Sequence, residues 1–170
     1  MASHPGHDFW RSWWCDLFGS PDPVAAAFSR LGLAGFALAA LPFWVELPRF
    51  LPAARRSASV ARALGIAAFL GLGVVARTAG GTREHGLAIL AACAPALPAI
   101  LLVIRCQALR HQTRPAAWLG AAMLLVSSAN FVQYVREQWL GAPEWAGLPA
   151  GQKVATLLIV VWVGASLRTE

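Results

Sequence analysis

The chain has 170 residues, a length that ordinarily gives one domain. It is 58% apolar and only 13% charged, with a mean hydropathy of +0.57. Soluble domains carry about 25% charged residues, and a core of this size does not have room for so many apolar side chains. Lipid is the solvent that suits the composition. The net charge of +6 and isoelectric point near 10.6 would raise nucleic-acid binding in a soluble protein. Here most basic residues are Arg grouped between apolar runs, as membrane topology requires, and no basic-aromatic platform is interleaved with them. The expected partner is therefore the lipid bilayer, and no nucleic acid.

The first 23 residues are polar and aromatic, with no apolar stretch behind a basic start, so no cleavable signal peptide is expected. Within them Phe9, Trp10, Trp13, Trp14, Leu17 and Phe18 recur at helical spacing, with Arg11, Ser12, Cys15 and Asp16 opposite. The pattern predicts an amphipathic helix over 7–19, lying in the membrane interface as an anchor or docking another membrane subunit. Were Met1 removed, Ala2-Ser3-His4 would offer an amine, two amide nitrogens and an imidazole, a set suited to square-planar Cu(II) or Ni(II). His4 is the single metal candidate. The cysteines, Cys15, Cys93 and Cys106, are odd in number and widely spaced, which argues against disulfides and clustered thiolate sites.

Five apolar runs follow. The first, Val24 to Leu47, opens after Pro21-Asp22-Pro23, a helix-start signal. The second spans Val60 to Ala76, the third Gly86 to Ile104 with Pro95 and Pro98 inside, the fourth Ala116 to Val135 and the fifth Gln152 to Leu167. The fold class is all-α: a single membrane domain over 1–170, a bundle of about five transmembrane helices behind an N-terminal interfacial amphipathic helix.

Positive charge orients the bundle. The stretches after the first and third runs, with Arg62, hold Arg49, Arg55, Arg56, Arg105, Arg110 and Arg114 and no Asp or Glu. Five crossings put them on one side, which should be cytoplasmic. The amino terminus is then outside and the carboxyl terminus inside, in what is expected to be a bacterial inner membrane. Trp10, Trp13, Trp14, Trp139 and Trp145 fall on the outer side, as an aromatic belt would.

The densest polar stripe lies on the fourth run. Ser127, Asn130, Tyr134 and Glu137 share one helical face. Such a stripe either bonds across helices or lines a site for a small polar ligand. Small residues recur four apart at Gly35/Ala39, Ala61/Gly65, Ala88/Ala92/Ala96 and Ala116/Gly120, which lets helices approach closely. His85 and His111 sit at opposite ends of the third run and cannot share one haem. No nucleophile elbow, P-loop or zinc-protease motif is present, and no cofactor is evident.

Several stretches taken together carry a family resemblance: FWRSWWCDLF (Phe9 to Phe18), the PDP entry, the LPRFLP exit of the first run, His85, and GLPAGQKVATLLIVVW (Gly147 to Trp162). The chain resembles uncharacterised bacterial multi-span membrane proteins loosely similar to the DRAM/Frag group. The resemblance implies a helical bundle of six spans, with a Ser- or Cys-Asp-Leu element after the first, here matched by Cys15-Asp16-Leu17, and no established catalytic residues. No span precedes the Trp-rich segment in this chain; a sixth, amino-terminal span would place both termini inside. Two functions are expected from the sequence. The first is a non-enzymatic accessory or structural subunit packed against a larger membrane complex. The alternative is a small-molecule or lipid transporter, or a membrane enzyme, using the polar stripe.

Overall fold

In a computed structural model of the full chain, the described residues are 8, 10, 12, 14–51, 54–78, 80, 82–143 and 145–167, the side chain of Cys15 excepted. Five α-helices dominate: α1 Pro23–Phe50, α2 Arg55–Val75, α3 Arg83–Ala108, α4 Arg114–Leu140 and α5 Leu148–Leu167. A 3-10 helix, Trp14–Gly19, precedes them and a 3-10 turn, His111–Thr113, leads into α4. All five helices are long and apolar enough to cross a membrane. No strand occurs among the described residues.

Each helix is longer than its apolar run because its backbone ladder continues through the polar turns that flank the apolar part. α2 begins at Arg55, α3 at Arg83, and α4 extends to Leu140. Local chemistry sets the ends. Asp22 Oδ1 accepts from the Val24 amide at 2.9 Å, with Pro23 at the first helical position. Thr82 Oγ1 accepts from the His85 amide at 3.2 Å and caps α3. Gly141, at φ +66°, closes α4 in the left-handed conformation that glycine adopts without penalty. α1 runs on through Pro42 and Pro48, and α3 through Pro95 and Pro98, since neighbouring helices shield the freed carbonyls from lipid.

Short connections make consecutive helices antiparallel. α2 packs most extensively on α3, and α1 on α2, α3 on α4 and α4 on α5 follow, with α5 also touching α1. Small residues permit the closest approaches, as the spacing predicted for Ala61/Gly65, Ala92 and Gly120. The Trp44 ring lies against Gly65, where a methyl group would overlap it. A Cβ at Gly71 would stand 2.7 Å from the Cα of Ala92, and one at Gly120 would stand 2.6 Å from Trp162 Nε1. Gly35 faces open space, so that pair forms no helix contact.

The two ends of the bundle are packed differently. At the end that holds Arg49, Arg55, Arg105, Arg110 and Arg114, a core of Phe43, Leu47, Leu51, Ile100, Val103, Met123 and Trp162 is closed. Trp162 is 1% exposed and meets the Phe43 ring edge-on at 5.5 Å. Its Nε1 donates to Gln107 Oε1 at 3.2 Å, while Gln107 Nε2 donates to Ser166 Oγ at 2.8 Å. Thr113 Oγ1 donates to the Gln107 carbonyl at 2.6 Å, so one glutamine joins α3, α5 and the turn before α4. At the opposite end the buried apolar cluster is smaller, formed by Phe18, Val75, Ala88 and Ala92. The outside of the bundle is apolar, with Phe28, Leu31, Leu125 and Leu157 exposed, as lipid contact requires.

Around the amino terminus the structure corrects the predicted amphipathic helix. Over the described residues a helix forms only at Trp14–Gly19, in 3-10 geometry. It folds back onto the bundle instead of presenting one apolar face outward. Phe18 is 4% exposed, set edge-on to the His85 ring at 6.0 Å, and so has no surface left to offer a partner. The cause is polar: Arg30 Nη2 donates to the Phe18 carbonyl at 3.0 Å, the Trp14 amide to Gln152 Oε1 at 3.2 Å, and Lys153 Nζ to the Ser12 carbonyl at 2.6 Å. Side chains from α1 and α5 thereby satisfy strap backbone that lipid would leave unpaired. Phe9 and Trp13 lie outside the described residues.

Candidate functional site

The strap closes over a cavity at the outer, less densely packed end. The cavity has a volume of about 260 Å³, far above the roughly 15 Å³ that holds one water. Three helices and the strap form its wall. α4 contributes Ser127, Asn130, Phe131, Tyr134 and Gln138, the stripe expected from spacing, one turn apart along one face. α3 contributes Thr82, His85 and Ile89, again one turn apart. α5 contributes Gln152, Ala155 and Thr156, and the strap adds Asp16.

Hydrogen bonds fix several of these groups. Ser127 Oγ donates weakly to Met123 Sδ at 3.8 Å, and Thr156 Oγ1 donates to the Gln152 carbonyl at 2.9 Å. Gln152 Oε1 is held by the Trp14 amide. His85 is 3% exposed, and its Nδ1 lies 2.9 Å from Thr78 Oγ1. Two buried polar side-chain atoms have no partner among the described residues, His85 Nε2 and Asn130 Oδ1, and both residues line this cavity. Buried polar atoms are nearly always paired in folded proteins, so two orphans in the wall of one cavity mark it as a place where something else supplies the bonds.

Asn130 is also held in position by α5. A Cβ at Gly151 would stand 2.8 Å from Asn130 Oδ1, so the amide can lie against α5 only because residue 151 has no side chain.

Basic residues frame the site without lining it. Lys153 is buried, and its ammonium donates to the carbonyls of Ser12 and Pro149 at 2.6 and 3.1 Å. It also stands 5.8 Å from the Trp14 ring centroid, within cation–π range.

The structure brings together Ser127, Asn130 and Tyr134 as their spacing predicts, but turns Glu137 away. Glu137 Oε1 accepts from the Trp145 amide at 2.6 Å and from Gln133 Nε2 at 3.4 Å, closing the loop after α4. Among the predicted docking residues, Trp10 is 58% exposed, Trp14 and Leu17 are half-buried and Phe18 is enclosed. His4 lies outside the described residues, and no cluster of three or more metal-ligating side chains occurs among those that are described. The sequence did not single out His85, Asp16, Gln152 or Lys153 as site residues. A signal for one wall existed: Thr82, His85 and Ile89 at i, i+3 and i+7 mirror the α4 stripe. For Asp16 and Gln152 there was none, because only the folding back of the strap brings them to the cavity. No family model, curated protein or solved structure matches the chain.

Proposed function

We propose that this chain is an integral membrane protein that binds a small polar ligand in the cavity between α3, α4, α5 and the strap. The reading is carried by the coincidence of that cavity with the two orphaned buried acceptors, His85 Nε2 and Asn130 Oδ1. Interhelical glue would leave the stripe bonded to facing side chains. Here the stripe faces space. The wall holds no residue set that would make the site hydrolytic or redox-active on its own, so binding, transport or sensing is the favoured class. The Arg-rich end is assigned to the cytoplasm by the positive-inside rule, which turns the cavity to the outer leaflet.

A water-soluble thiol reagent tests this reading. In a variant lacking the three native cysteines, Ser127→Cys should be labelled from the outer face, while Leu125→Cys on the lipid face should not. Equal protection of both positions would mean that the cavity is closed to solutes.

A second reading, an accessory subunit, is favoured by exposed Trp10 and Trp145 at the same end. Replacing Trp10, Trp13 and Trp14 with Ala should release such a partner, and a complex that survives the change unaltered rules it out.

A further inference from the structure

The hydrogen-bonding needs of the cavity are one-sided. Thr78 Oγ1 has a single hydrogen and two polar neighbours: the Val75 carbonyl at 3.0 Å and His85 Nδ1 at 2.9 Å. A carbonyl only accepts. Both contacts form together only when the hydroxyl donates to the carbonyl and Nδ1–H donates to the hydroxyl. In the neutral ring Nε2 is then a lone-pair acceptor, and it is one of the two orphans. The other, Asn130 Oδ1, is an acceptor as well. The one charged side chain in the described wall is the carboxylate of Asp16, on the exposed side of the strap. Lys153, the nearest cation on α5, directs its ammonium at two backbone carbonyls instead. Phe131 and Tyr134 add aromatic faces.

Acceptors, an anion and aromatic rings in one wall complement a ligand that is rich in N–H donors and positively charged. A neutral polyol would meet the acceptors but not the carboxylate. An anion would be repelled by it. We propose that the cavity binds a primary ammonium group, from either a free small amine or the ethanolamine head of an aminophospholipid. The proposal rests on the ligand-binding reading above. In it Asp16 supplies the counter-charge, His85 Nε2 and Asn130 Oδ1 accept N–H bonds, and Phe131 and Tyr134 face the cation.

The test uses the full chain in detergent and three probes of similar size: ethanolamine, ethylene glycol and glycolate, titrated by calorimetry. Ethanolamine should bind at least tenfold more tightly than ethylene glycol, and glycolate should not bind. Asp16→Asn and His85→Phe should each weaken ethanolamine at least tenfold with helical content unchanged. Asp16 is exposed, so its variant keeps the test valid even if His85→Phe disturbs packing against Phe18. Native mass spectrometry from nanodiscs of phosphatidylethanolamine or phosphatidylglycerol separates the two sources. Selective retention of the ethanolamine lipid identifies a headgroup site, and retention of neither lipid by a protein that binds ethanolamine identifies a free amine. Asn130-dependent binding of ethylene glycol or glycolate, as tight as that of ethanolamine, would overturn the ammonium assignment while leaving the cavity a ligand site. Ethanolamine binding that neither Asp16→Asn nor His85→Phe weakens would also overturn it. Failure of every probe and both lipids would remove the ligand-binding reading along with it.

Discussion

Replacing Gly71 by Ala should destabilise the bundle, whereas the same change two residues later, at Gly73, should stabilise it. At Gly71 the added methyl carbon would lie 2.7 Å from the Cα, 2.9 Å from the amide nitrogen and 3.0 Å from the Cβ of Ala92. Two of these three atoms are backbone and cannot rotate away, so α2 and α3 must separate by several tenths of an ångström along their most extensive contact. Overpacking of this kind costs about 1–3 kcal/mol, and a rigid obstacle puts it near the upper end. Helix propensity returns about 1 kcal/mol when Gly becomes Ala. The net expectation is a loss of about 1–2 kcal/mol for Gly71→Ala. At Gly73 nothing lies within 4 Å of the added carbon, so only the propensity term of about 1 kcal/mol remains, with the opposite sign. Unfolding by SDS in mixed micelles, followed by far-UV circular dichroism, gives both values against wild type. If Gly71→Ala proved as stable as Gly73→Ala, the close backbone approach of α2 to α3 would be wrong.

Other perturbations probe the strap, the latch and the cavity. Gly151→Ala should push the Asn130 amide off α5, which stands only 2.8 Å from the new methyl, and weaken ligand binding several-fold with little change in unfolding. Trp162→Phe keeps most of the ring but leaves Gln107 Oε1 without its buried donor, for a loss of about 1–2 kcal/mol in the same SDS assay. Lys153→Met removes the ammonium that holds the Ser12 and Pro149 carbonyls, so amide exchange over 14–19 should quicken while the Gln107 region keeps its protection. Glu46→Gln, by contrast, breaks an exposed pair with Arg49 at 2.6 Å and should change stability by less than about 1 kcal/mol.

The existence and order of the five helices were legible because a span must keep about 20 residues apolar, whatever it packs against. Their ends were not, because hydropathy reports the lipid-facing stretch while the backbone ladder continues into Arg55–Ser59, Arg83–His85 and Arg136–Leu140. One wall of the cavity was legible for a related reason: Ser127, Asn130 and Tyr134 must share a face if α4 is a helix at all. Whether that face met another helix or open space depended on how densely α3 and α5 packed against it, which no local pattern encodes. The strap was misjudged because the spacing of Phe9, Trp10, Trp14 and Phe18 fits an amphipathic helix. What fixes it is long-range: Arg30, Gln152 and Lys153 hold its backbone, and Phe18 fills a gap beside His85.

The central claim, that the outer cavity is a ligand site, is tested most directly by native mass spectrometry of the protein extracted gently from its own host, with Asn130→Leu alongside. The account predicts a wild-type species carrying one defined small-molecule or lipid adduct, and an Asn130→Leu protein that is folded but bare. Wild-type protein without any adduct, or an adduct retained equally by Asn130→Leu, would contradict it.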